Sequence, residues 1–551
     1  MGGMSRKRLC VMFCSGVVLL ATGGIMIPVV DMVIRDQIKE KVVISNSSEL
    51  WDIWSEPPIP IYMQFYMFNL SNRNEVKQGG RPVVYQVGPY TYREKRKKFD
   101  IVFNDNGTVT YRQKRTFFFM RNMSVGPDTD MFTTANPPVL AVVNSLQYAP
   151  ITLRRIVTDA LKLYSEDIFM TRPVKEILWG YTDPALKTLM GLYPAWFYTD
   201  FVGYFINKND TDDGQYTVFT GSNDVSNLGG IDTYNGSKLL PYWTTRFANM
   251  INGSDGTISP PFEQGAEQLP MFSSDICRSV HGTYQKDVKT LHSISLRRYV
   301  GTADELANAT ANPDNRGFCT PKTKCLPTGL LNISNCQIFD YFHIPVVVSF
   351  PHFYMADPSI IQSIGGMKPV AEEHETAVDV EPWTGLILQA FKRLQINMYL
   401  TKVDGVSLTE NIRSMYLPVF WLNESAVVDD KHAKMLKTQL FAPMEITSVL
   451  EKVLMIIGGA LILLVMAITW CGRKKSDHMT LPPGPVPTVA NHGMRRRPMN
   501  IMRDRERQPL LTDKRIQPSN SDHPNAPADN GHVTLANQDS TDPTYHAPSE
   551  A

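Results

Sequence analysis

Two uninterrupted apolar runs lie near the ends of the chain. The first extends from Leu9 to Val30 and the second from Val453 to Trp470, and neither contains a charged residue. An α-helix rises about 1.5 Å per residue, so both runs are long enough to cross a hydrocarbon core of roughly 30 Å. The pattern predicts transmembrane helices at 9–30 and 453–471.

Basic residues set the predicted orientation. Arg6, Lys7 and Arg8 precede the first run, and Arg473 follows the second. Because positive charge is retained on the cytoplasmic side, segments 1–8 and 472–551 are predicted to be cytoplasmic and 31–452 lumenal or extracellular. A signal peptide cleaved near Gly23 is the alternative. The anchor is favoured because apolar sequence continues beyond that site.

The hydrophobic period changes between the two runs. Alternating apolar and polar residues with turn signals predict antiparallel strands from about 60 to 145 and again after 195. Three- and four-residue spacing predicts helices in 151–190, with an apolar stripe that is either a ligand-binding face or a buried core face. The stripe consists of Leu153, Ile156, Val157, Ala160, Leu161 and Tyr164. No flexible linker divides 31–452, so one mainly β domain with a helical insertion, of the α+β class, is predicted.

Composition and charge narrow the function classes. An apolar content of 43% excludes wholesale disorder, and 55 basic against 54 acidic residues give no net field for a nucleic acid. The segment 472–551 differs, because it holds 11 of the 38 prolines and one aromatic residue, so we expect disorder there. Its early basic excess indicates either attraction to an anionic leaflet or a merely solvated tail.

Glycosylation acceptors support the predicted topology. All ten Asn-x-Ser/Thr sites lie between the two runs, and none lies in the tail. This confinement predicts a heavily glycosylated lumenal or extracellular segment. The acceptors are Asn46, Asn69, Asn106, Asn122, Asn209, Asn235, Asn252, Asn308, Asn332 and Asn423.

Cysteine placement indicates the same compartment. Four cysteines, at 277, 319, 325 and 336, cluster in the predicted lumenal segment. They predict two disulfides, with three connectivities open and a zinc site as the alternative. Cys10, Cys14 and Cys471 lie at or within the predicted spans, where they are either palmitoylated or unmodified thiols.

Motifs for catalysis are missing from the sequence. His374-Glu375 begins like the zinc-protease HExxH, but Val378 stands where the second histidine is required. There is no phosphate-binding loop or hydrolase GxSxG, and the lone histidines His343 and His352 are interpreted as packing or hydrogen-bonding residues. We therefore predict neither an enzyme nor a metal or cofactor site.

The tail contains one candidate sorting signal. Glu506 is followed, after three residues, by the pair Leu510 and Leu511. An acidic residue before paired leucines suits a clathrin adaptor that offers a basic spot beside an apolar pocket, and an extended tail favours such binding. An incidental leucine pair is the alternative.

Several short sequence motifs between the two runs resemble those of the class B scavenger receptor family, and the resemblance covers roughly residues 8–475. They are Val87-Gly88-Pro89-Tyr90-Thr91-Tyr92-Arg93-Glu94, Leu178-Trp179-Gly180-Tyr181, Met250-Ile251-Asn252-Gly253, Asp275-Ile276-Cys277-Arg278-Ser279, Ser349-Phe350-Pro351-His352-Phe353-Tyr354, Phe391-Lys392-Arg393-Leu394-Gln395-Ile396-Asn397 and Leu422-Asn423-Glu424-Ser425. Gly317-Phe318-Cys319, the gap to Cys325 and Asn332-Ile333-Ser334 resemble the lysosomal branch of that family.

The resemblance implies a large antiparallel β-barrel with a helical apex at 151–190 and an apolar tunnel leading towards the bilayer. It implies the bridges Cys277–Cys336 and Cys319–Cys325. The implied ligands are lipoproteins, anionic phospholipids or fatty acids or, in the lysosomal branch, a lysosomal enzyme held at the apex. Two features depart from that branch: the tail is longer, and 151–190 contains no histidine to titrate in acid.

Together these features predict a receptor of endosomal and lysosomal membranes. It is expected to bind lipid or lipoprotein and to pass lipid through the tunnel to the bilayer. A plasma-membrane scavenger receptor for lipoproteins or debris is one alternative. A receptor that sorts a lysosomal enzyme is the other.

Overall fold

The structure is a computed structural model. It describes residues 5–48, 50–164, 166–192, 199–290, 292–336, 338–339 and 342–477. The sorting motif Glu506, Leu510 and Leu511 lies outside the described residues.

The α-helices include two long terminal ones and a group of short ones. In chain order they are α1 (Arg6–Val42), α2 (Leu50–Ser55), α3 (Arg73–Lys77), α4 (Pro137–Leu146), α5 (Ile151–Leu163), α6 (Val174–Trp179), α7 (Pro184–Leu192), α8 (Pro358–Ser363), α9 (Ala371–His374), α10 (Asp430–Leu436) and α11 (Ala442–Asp477).

The strands range from two residues to twenty. In chain order they are β1 (Ile61–Leu70), β2 (Val84–Phe103), β3 (Thr108–Phe119), β4 (Met131–Ala135), β5 (Phe169–Pro173), β6 (Tyr181–Thr182), β7 (Phe201–Val202), β8 (Thr211–Phe219), β9 (Ile231–Tyr234), β10 (Gln268–Ser273), β11 (Arg278–Lys289), β12 (Ser295–Val300), β13 (Leu331–Asn332), β14 (Ile338–Phe339), β15 (Phe342–His343), β16 (Val346–Ser349), β17 (Ala377–Val380), β18 (Ile387–Leu400) and β19 (Met415–Val427).

One antiparallel sheet of 13 strands dominates the described chain. Its main path is β10-β11-β12-β17-β18-β19-β1-β2-β3-β8-β9, and β16 joins it by pairing with β18 and β13. Alternation along the strands turns one face into a core, as in β1, where Met63, Phe65 and Met67 are buried. The fold is therefore mixed α+β.

The two outermost strands of that path approach each other through one residue. Ser254 forms isolated bridges with Gly230, beside β9, and with Met271 in β10. Its carbonyl accepts a hydrogen bond from the backbone N–H of Phe272 at 2.8 Å, and the N–H of Ile231 donates to the carbonyl of Gly253 at 2.9 Å. β9 and β10 do not pair with each other directly.

The sheet has two ends, which we call the base and the apex. At the base Ile61 pairs with Ala426, and α1 packs there through Ile38 and Val42. At the apex Leu70 pairs with Val84, and α5 is attached there through Arg154, which donates to the carbonyl of Asp404 at 3.0 Å. Ten residues of β1 separate the two ends by about 30 Å.

The helical insertion is more divided than its hydrophobic period predicts. Within 151–190 the strands β5 and β6 interrupt the helices, and α4 begins earlier, at Pro137, in a segment predicted to be strands and turns. β5 is stabilised by pairing with β4, which lies beyond the reach of a local helical pattern. Pro137 and Pro138 occupy the first turn of α4, where a missing N–H costs no hydrogen bond.

The terminal helices α1 and α11 pack against each other through glycine. Both are long and apolar enough to cross a membrane. A Cβ atom at Gly458 would lie 2.7 Å from the carbonyl oxygen of Gly16 and 2.7 Å from the backbone nitrogen of Leu20. Small residues permit this close approach of two backbones, and the resulting van der Waals packing is one of the forces that hold helices together in lipid.

Replacing Gly458 with leucine should separate the two helices. The new side chain meets backbone atoms that cannot move aside, so we expect a loss of roughly 1–3 kcal/mol, seen as a lower unfolding midpoint of the purified protein in detergent. Gly24→Leu is the matched control, because nothing lies within 4 Å of a Cβ there. Equal losses in the two variants would contradict glycine-mediated packing.

Candidate functional site

Helix α5 carries an exposed apolar surface at the apex. Ile156 and Leu163 are 66% and 81% exposed, and no described residue covers them. We call this surface the apex patch; its residues are Tyr148, Ile151, Leu153, Ile156, Leu163 and Tyr164. Apolar surface of this kind on a soluble domain marks a binding face more often than a solvated one.

The predicted stripe is divided between the two faces of α5. Leu161 is buried and Val157 packs against the core, whereas Ile156 and Ala160 face outwards. Leu153 and Tyr164 are also exposed. The inner residues of the stripe are therefore part of the core, and its outer residues are exposed beside or within the apex patch. The core interpretation holds for the first group, and the second group remains available for a ligand.

Two of the three basic side chains of α5 are held by neighbouring groups, and the third, Arg155, is exposed by itself. Arg154 donates to the backbone carbonyls of Gln147 and Ala149, both at 2.9 Å, so it fixes the start of the helix. Lys162 lies 4.0 Å from the carboxylate of Asp159. The patch is therefore apolar rather than cationic in character.

An aromatic cluster fills the core face in the middle of the sheet, around the level of Met63 to Met67 in β1. Phe65 packs edge-on against Phe205 and Phe420, with ring centroids 5.2 and 5.7 Å apart. Tyr92 lies 5.1 Å from Trp179 in α6. Aromatic pairs at these separations contribute about 0.5–1.5 kcal/mol each beyond burial.

Nearer the base, the same face carries ion pairs, which we call the charged cluster. Arg96 in β2 donates to Glu94 at 2.7 Å and also to Glu424 in β19. Lys392 in β18 lies 3.4 Å from Glu424 and also binds Asp275, which lies between β10 and β11.

Two further residues extend the charged cluster. Arg115 in β3 contacts Asp213 at 3.3 Å and Asp275 at 3.5 Å. The cluster therefore joins β2, β3, β8, β18 and β19 to the turn after β10. Sequence reasoning missed it, because residues hundreds of positions apart carry no local signal.

Burial and mutual attraction decide the protonation of these groups. Burial alone raises the pKa of Glu424, but the charges of Lys392, Arg96 and Arg115 outweigh it and bring that pKa to about 2. Glu94 Oε2, Asp213 Oδ1 and Arg115 Nε are buried without a hydrogen-bond partner. Glu424 therefore stays ionised through the physiological range, and the cluster also contains polar atoms that are not fully satisfied.

Two histidines stack in a layer outside β19. The rings of His352 and His374 lie 4.5 Å apart, and His374 meets Trp421 edge-on at 5.5 Å. Nδ1 of His352 accepts from the backbone N–H of Lys368 at 3.0 Å, and Nδ1 of His374 accepts from Val370 at 2.9 Å. Nδ1 of each ring must therefore be unprotonated to accept these hydrogen bonds, which hold the segment that contains Lys368 and Val370.

Burial lowers the pKa of both rings to about 4. The charges of His374 and Lys368 add to the effect at His352, and the charge of Arg393 adds to it at His374. The carboxylate of Glu373 lies 4.0 Å from Nε2 of His374 but is exposed. The pair is thus a structural element that protonation disrupts.

A third histidine responds to pH in the opposite direction. Nδ1 of His281 lies 2.6 Å from Glu305, which also pairs with Arg278 at 3.2 Å. The hydrogen bond to Glu305 raises the pKa of His281 above its ordinary value. Its contribution is complete below pH 6.5 and is lost as the pH rises through the raised pKa.

The described cysteines form two bonds. Cys277 is joined to Cys336 and Cys319 to Cys325, which are the pairs implied by the family resemblance. Cys10, Cys14 and Cys471 are free and exposed. Among the described residues, no group of three histidine, cysteine or acidic side chains is arranged to hold a metal ion.

The glycosylation acceptors differ in accessibility. The exposed ones are Asn46, Asn106, Asn122, Asn209, Asn235 and Asn252. Asn69, Asn308, Asn332 and Asn423 are partly buried, and the Nδ2 atom that would carry the glycan donates a hydrogen bond in each. Asn423 is the most restricted, because its Oδ1 is buried in the middle of the sheet.

The stacked histidines should make the fold weaker in acid. A pKa of about 4 in the folded state, against 6.5 unfolded, leaves full stability above pH 6.5 and removes it as the pH falls towards 4. The loss at pH 5 is about 2 kcal/mol for each ring. His374→Gln should unfold at a lower temperature than the unmodified protein at pH 8, but its midpoint should fall less between pH 7.5 and pH 4.5. Parallel pH profiles for the two proteins would contradict a titrating role.

Comparison with known proteins identifies the family. Residues 14–469 match the CD36 family. Lysosome membrane protein 2 of Homo sapiens is 40% identical over 448 residues, which cover 81% of this chain and 90% of the relative. Scavenger receptor class B member 1 of Sus scrofa is 34% identical over 465 residues, which cover 84% and 90%. These matches confirm the resemblance carried by the sequence motifs, together with the expectation that the chain is not an enzyme. The chain belongs to the CD36 family of receptors.

Proposed function

We propose that the chain is a receptor of endosomal and lysosomal membranes that binds lipid or lipoprotein at the apex and passes lipid through the sheet to the bilayer. The apex patch is the observation that carries this proposal. Six large apolar or aromatic side chains on α5 or directly beside its ends remain exposed about 30 Å from the base. Such a surface suits a ligand with accessible acyl chains or apolar protein surface.

The proposed topology follows from the two apolar helices. Segments 9–30 and 453–471 span the bilayer, 1–8 and 472–551 are cytoplasmic, and 31–452 is lumenal or extracellular. The continuity of α1 with the sheet core supports this arrangement, because Ile38 and Val42 lie on the same helix as the apolar run. The free cysteines Cys10, Cys14 and Cys471 then lie within reach of a cytoplasmic acylating enzyme.

A closed barrel with an internal tunnel is part of the proposal. The bridges of Ser254 support closure, because they join the edge regions of β9 and β10. Tyr234 and Phe272 pack across the same seam with ring centroids 5.1 Å apart. The aromatic cluster would line the middle of the path, and the charged cluster would form its polar part nearer the base.

A receptor that carries a lysosomal enzyme is the second candidate function. The same apex patch favours it, since exposed apolar residues on one helix also suit a protein partner. A plasma-membrane scavenger receptor for lipoproteins or debris would share the patch as well. Both relatives are membrane receptors by name or family, one of the lysosome and one of the scavenger class.

Charging the apex patch should abolish lipid capture. Ile156→Asp with Leu163→Asp removes two exposed apolar side chains, each worth about 1.5–3 kcal/mol when buried by a ligand. We expect at least a roughly tenfold loss in binding of lipoproteins or phosphatidylserine vesicles to the full chain in nanodiscs. Thr152→Asp, an exposed polar position on the same helix, is the control.

Two results would overturn this proposal. If the unmodified chain binds neither vesicles nor lipoproteins at pH 7.4 or pH 5, it is not a lipid receptor. If it instead binds a lysosomal hydrolase, and the double variant but not Thr152→Asp loses that binding, the enzyme-carrying function is favoured.

The tail motif should determine where the receptor resides. Leu510→Ala with Leu511→Ala removes the side chains that would fill an adaptor pocket, so the variant should accumulate at the cell surface. Tyr545→Ala is the control, since it leaves the motif intact. Surface biotinylation measures the amount of each variant at the cell surface and its rate of internalisation. A receptor already at the surface, with unchanged internalisation in the double variant, would favour the scavenger function at the plasma membrane.

A further inference from the structure

The apolar surfaces of α1 and α11 end at the same level towards the base. Gly16 contacts the region Gly458–Ile462, and Gly23 contacts Glu451 and Met455, so the helices run antiparallel in register. Continuing that register places Val30 near residue 446. Exposed apolar residues reach Val33 on α1, at 46% exposure, and begin at Ile446 on α11, at 67%. The apolar surface of α1 therefore marks the edge of the hydrocarbon core near Val30. On α11 the charge-free run begins only at Val453, so Glu451 and Lys452 lie within about 10 Å of that edge on its core side.

Arg35 lies just beyond that edge. Its Nε donates to Asp31 at 2.9 Å, so the guanidinium is held between the levels of residues 31 and 35. That interval lies within roughly 7 Å of Val30 along the helix. The headgroup layer of a bilayer is roughly 5–7 Å thick on each side, so the guanidinium lies inside it.

Two loops of the sheet meet Arg35 at this level. The guanidinium carbon lies 4.9 Å from the ring centroid of Phe262 and 5.5 Å from that of Trp383. Both rings are partly exposed. We call the segments 259–264 and 381–385 the rim loops.

The rim loops are built as one rigid edge. The backbone N–H of Phe262 donates to the carbonyl of Trp383 at 3.3 Å, and that of Ser259 donates to Gly385 at 2.9 Å. Phe262 has a φ of 68°, a left-handed conformation that a bulky residue adopts only when its surroundings enforce it. The buried carboxylate of Glu381 accepts from the N–H groups of Trp383 and Thr384 at 3.1 and 2.8 Å.

We propose that the rim loops are a membrane-contact surface, with Phe262 and Trp383 lying among the lipid headgroups. Aromatic side chains are enriched at this depth, because they have an apolar body and, in tryptophan, a polar N–H. Arg35 pairs with Asp31, and the rim loops contain two acidic residues, Glu263 and Glu381, but no basic one, so they offer no cationic site. The surface therefore recognises the bilayer interface itself rather than an anionic lipid.

Tryptophan quenching tests this contact in the full chain. The protein is reconstituted in phosphatidylcholine vesicles that contain a phosphatidylcholine spin-labelled at its headgroup. Trp383→Phe should reduce the quenched part of the emission, because it removes a tryptophan at headgroup depth. Trp179→Phe is the control, because Trp179 packs against Tyr92 on the core face of the sheet, so this variant should lose only unquenched emission. An unchanged quenched part in Trp383→Phe would overturn the proposal.

Photolabelling of the unmodified protein gives a readout that needs no variant. A phosphatidylcholine with a diazirine at the upper end of its acyl chain should label peptides containing 259–264 and 381–385. Peptides of α5 should stay unlabelled, provided that no protein-free vesicles are added, because the apex patch is proposed to bind such vesicles. Rim-loop labelling no stronger than α5 labelling would refute membrane contact. Equal labelling with and without phosphatidylserine is expected, and labelling that requires phosphatidylserine would refute recognition of the interface alone.

Discussion

The charged cluster is the constraint on which the shape of the sheet depends. Asp275 lies in the turn between β10 and β11, at one end of the strand order, yet it contacts Lys392 on β18 and Arg115 on β3. β3 is seven strands away from β11 along that order, so these contacts exist only if the sheet curls until its two flanks meet across the core. A buried charge that loses its partner costs about 3–5 kcal/mol, so each ion pair enforces the register of the strands that bear it.

The same cluster limits how a lipid could cross the molecule. The core face changes from an aromatic cluster in the middle of the sheet to ion-paired side chains nearer the base, so the proposed path would not be apolar throughout. Lys392 and Asp275 each keep 31% of their side-chain surface accessible, although both lie on the core side. Unsatisfied atoms on Glu94 and Asp213 need hydrogen-bond donors. An amphiphile whose polar group can supply such donors fits this region better than a hydrocarbon chain alone.

The sequence predicted what local patterns encode and missed what tertiary contact decides. The apolar runs gave α1 and α11, and the family motifs gave the sheet and the cysteine pairs. The period of Leu153, Ile156 and Leu161 predicted an amphipathic helix, but a period cannot tell which flank is covered by the rest of the chain. The charged cluster joins residues as distant as Arg96 and Glu424, so no window of sequence contains it. His352 was interpreted as a hydrogen-bonding residue, and its pairing with His374 required the structure.

The positions of the histidines determine which part of the molecule can respond to acid. Helix α5 and the rest of 151–190 contain none, so the apex patch keeps its apolar character at any pH between 5 and 8. The buried pair instead holds the segment through Lys368 and Val370, and that segment is attached to the apical start of β2, where the N–H of Gly365 donates to Pro82 at 2.8 Å. Protonation would therefore loosen the support of the sheet near the apex while leaving the apex patch itself unchanged. The link between His281 and Glu305, close to the Cys277–Cys336 bridge, is already complete below pH 6.5, so the flank that carries Asp275 would stay in place as the apical support weakens.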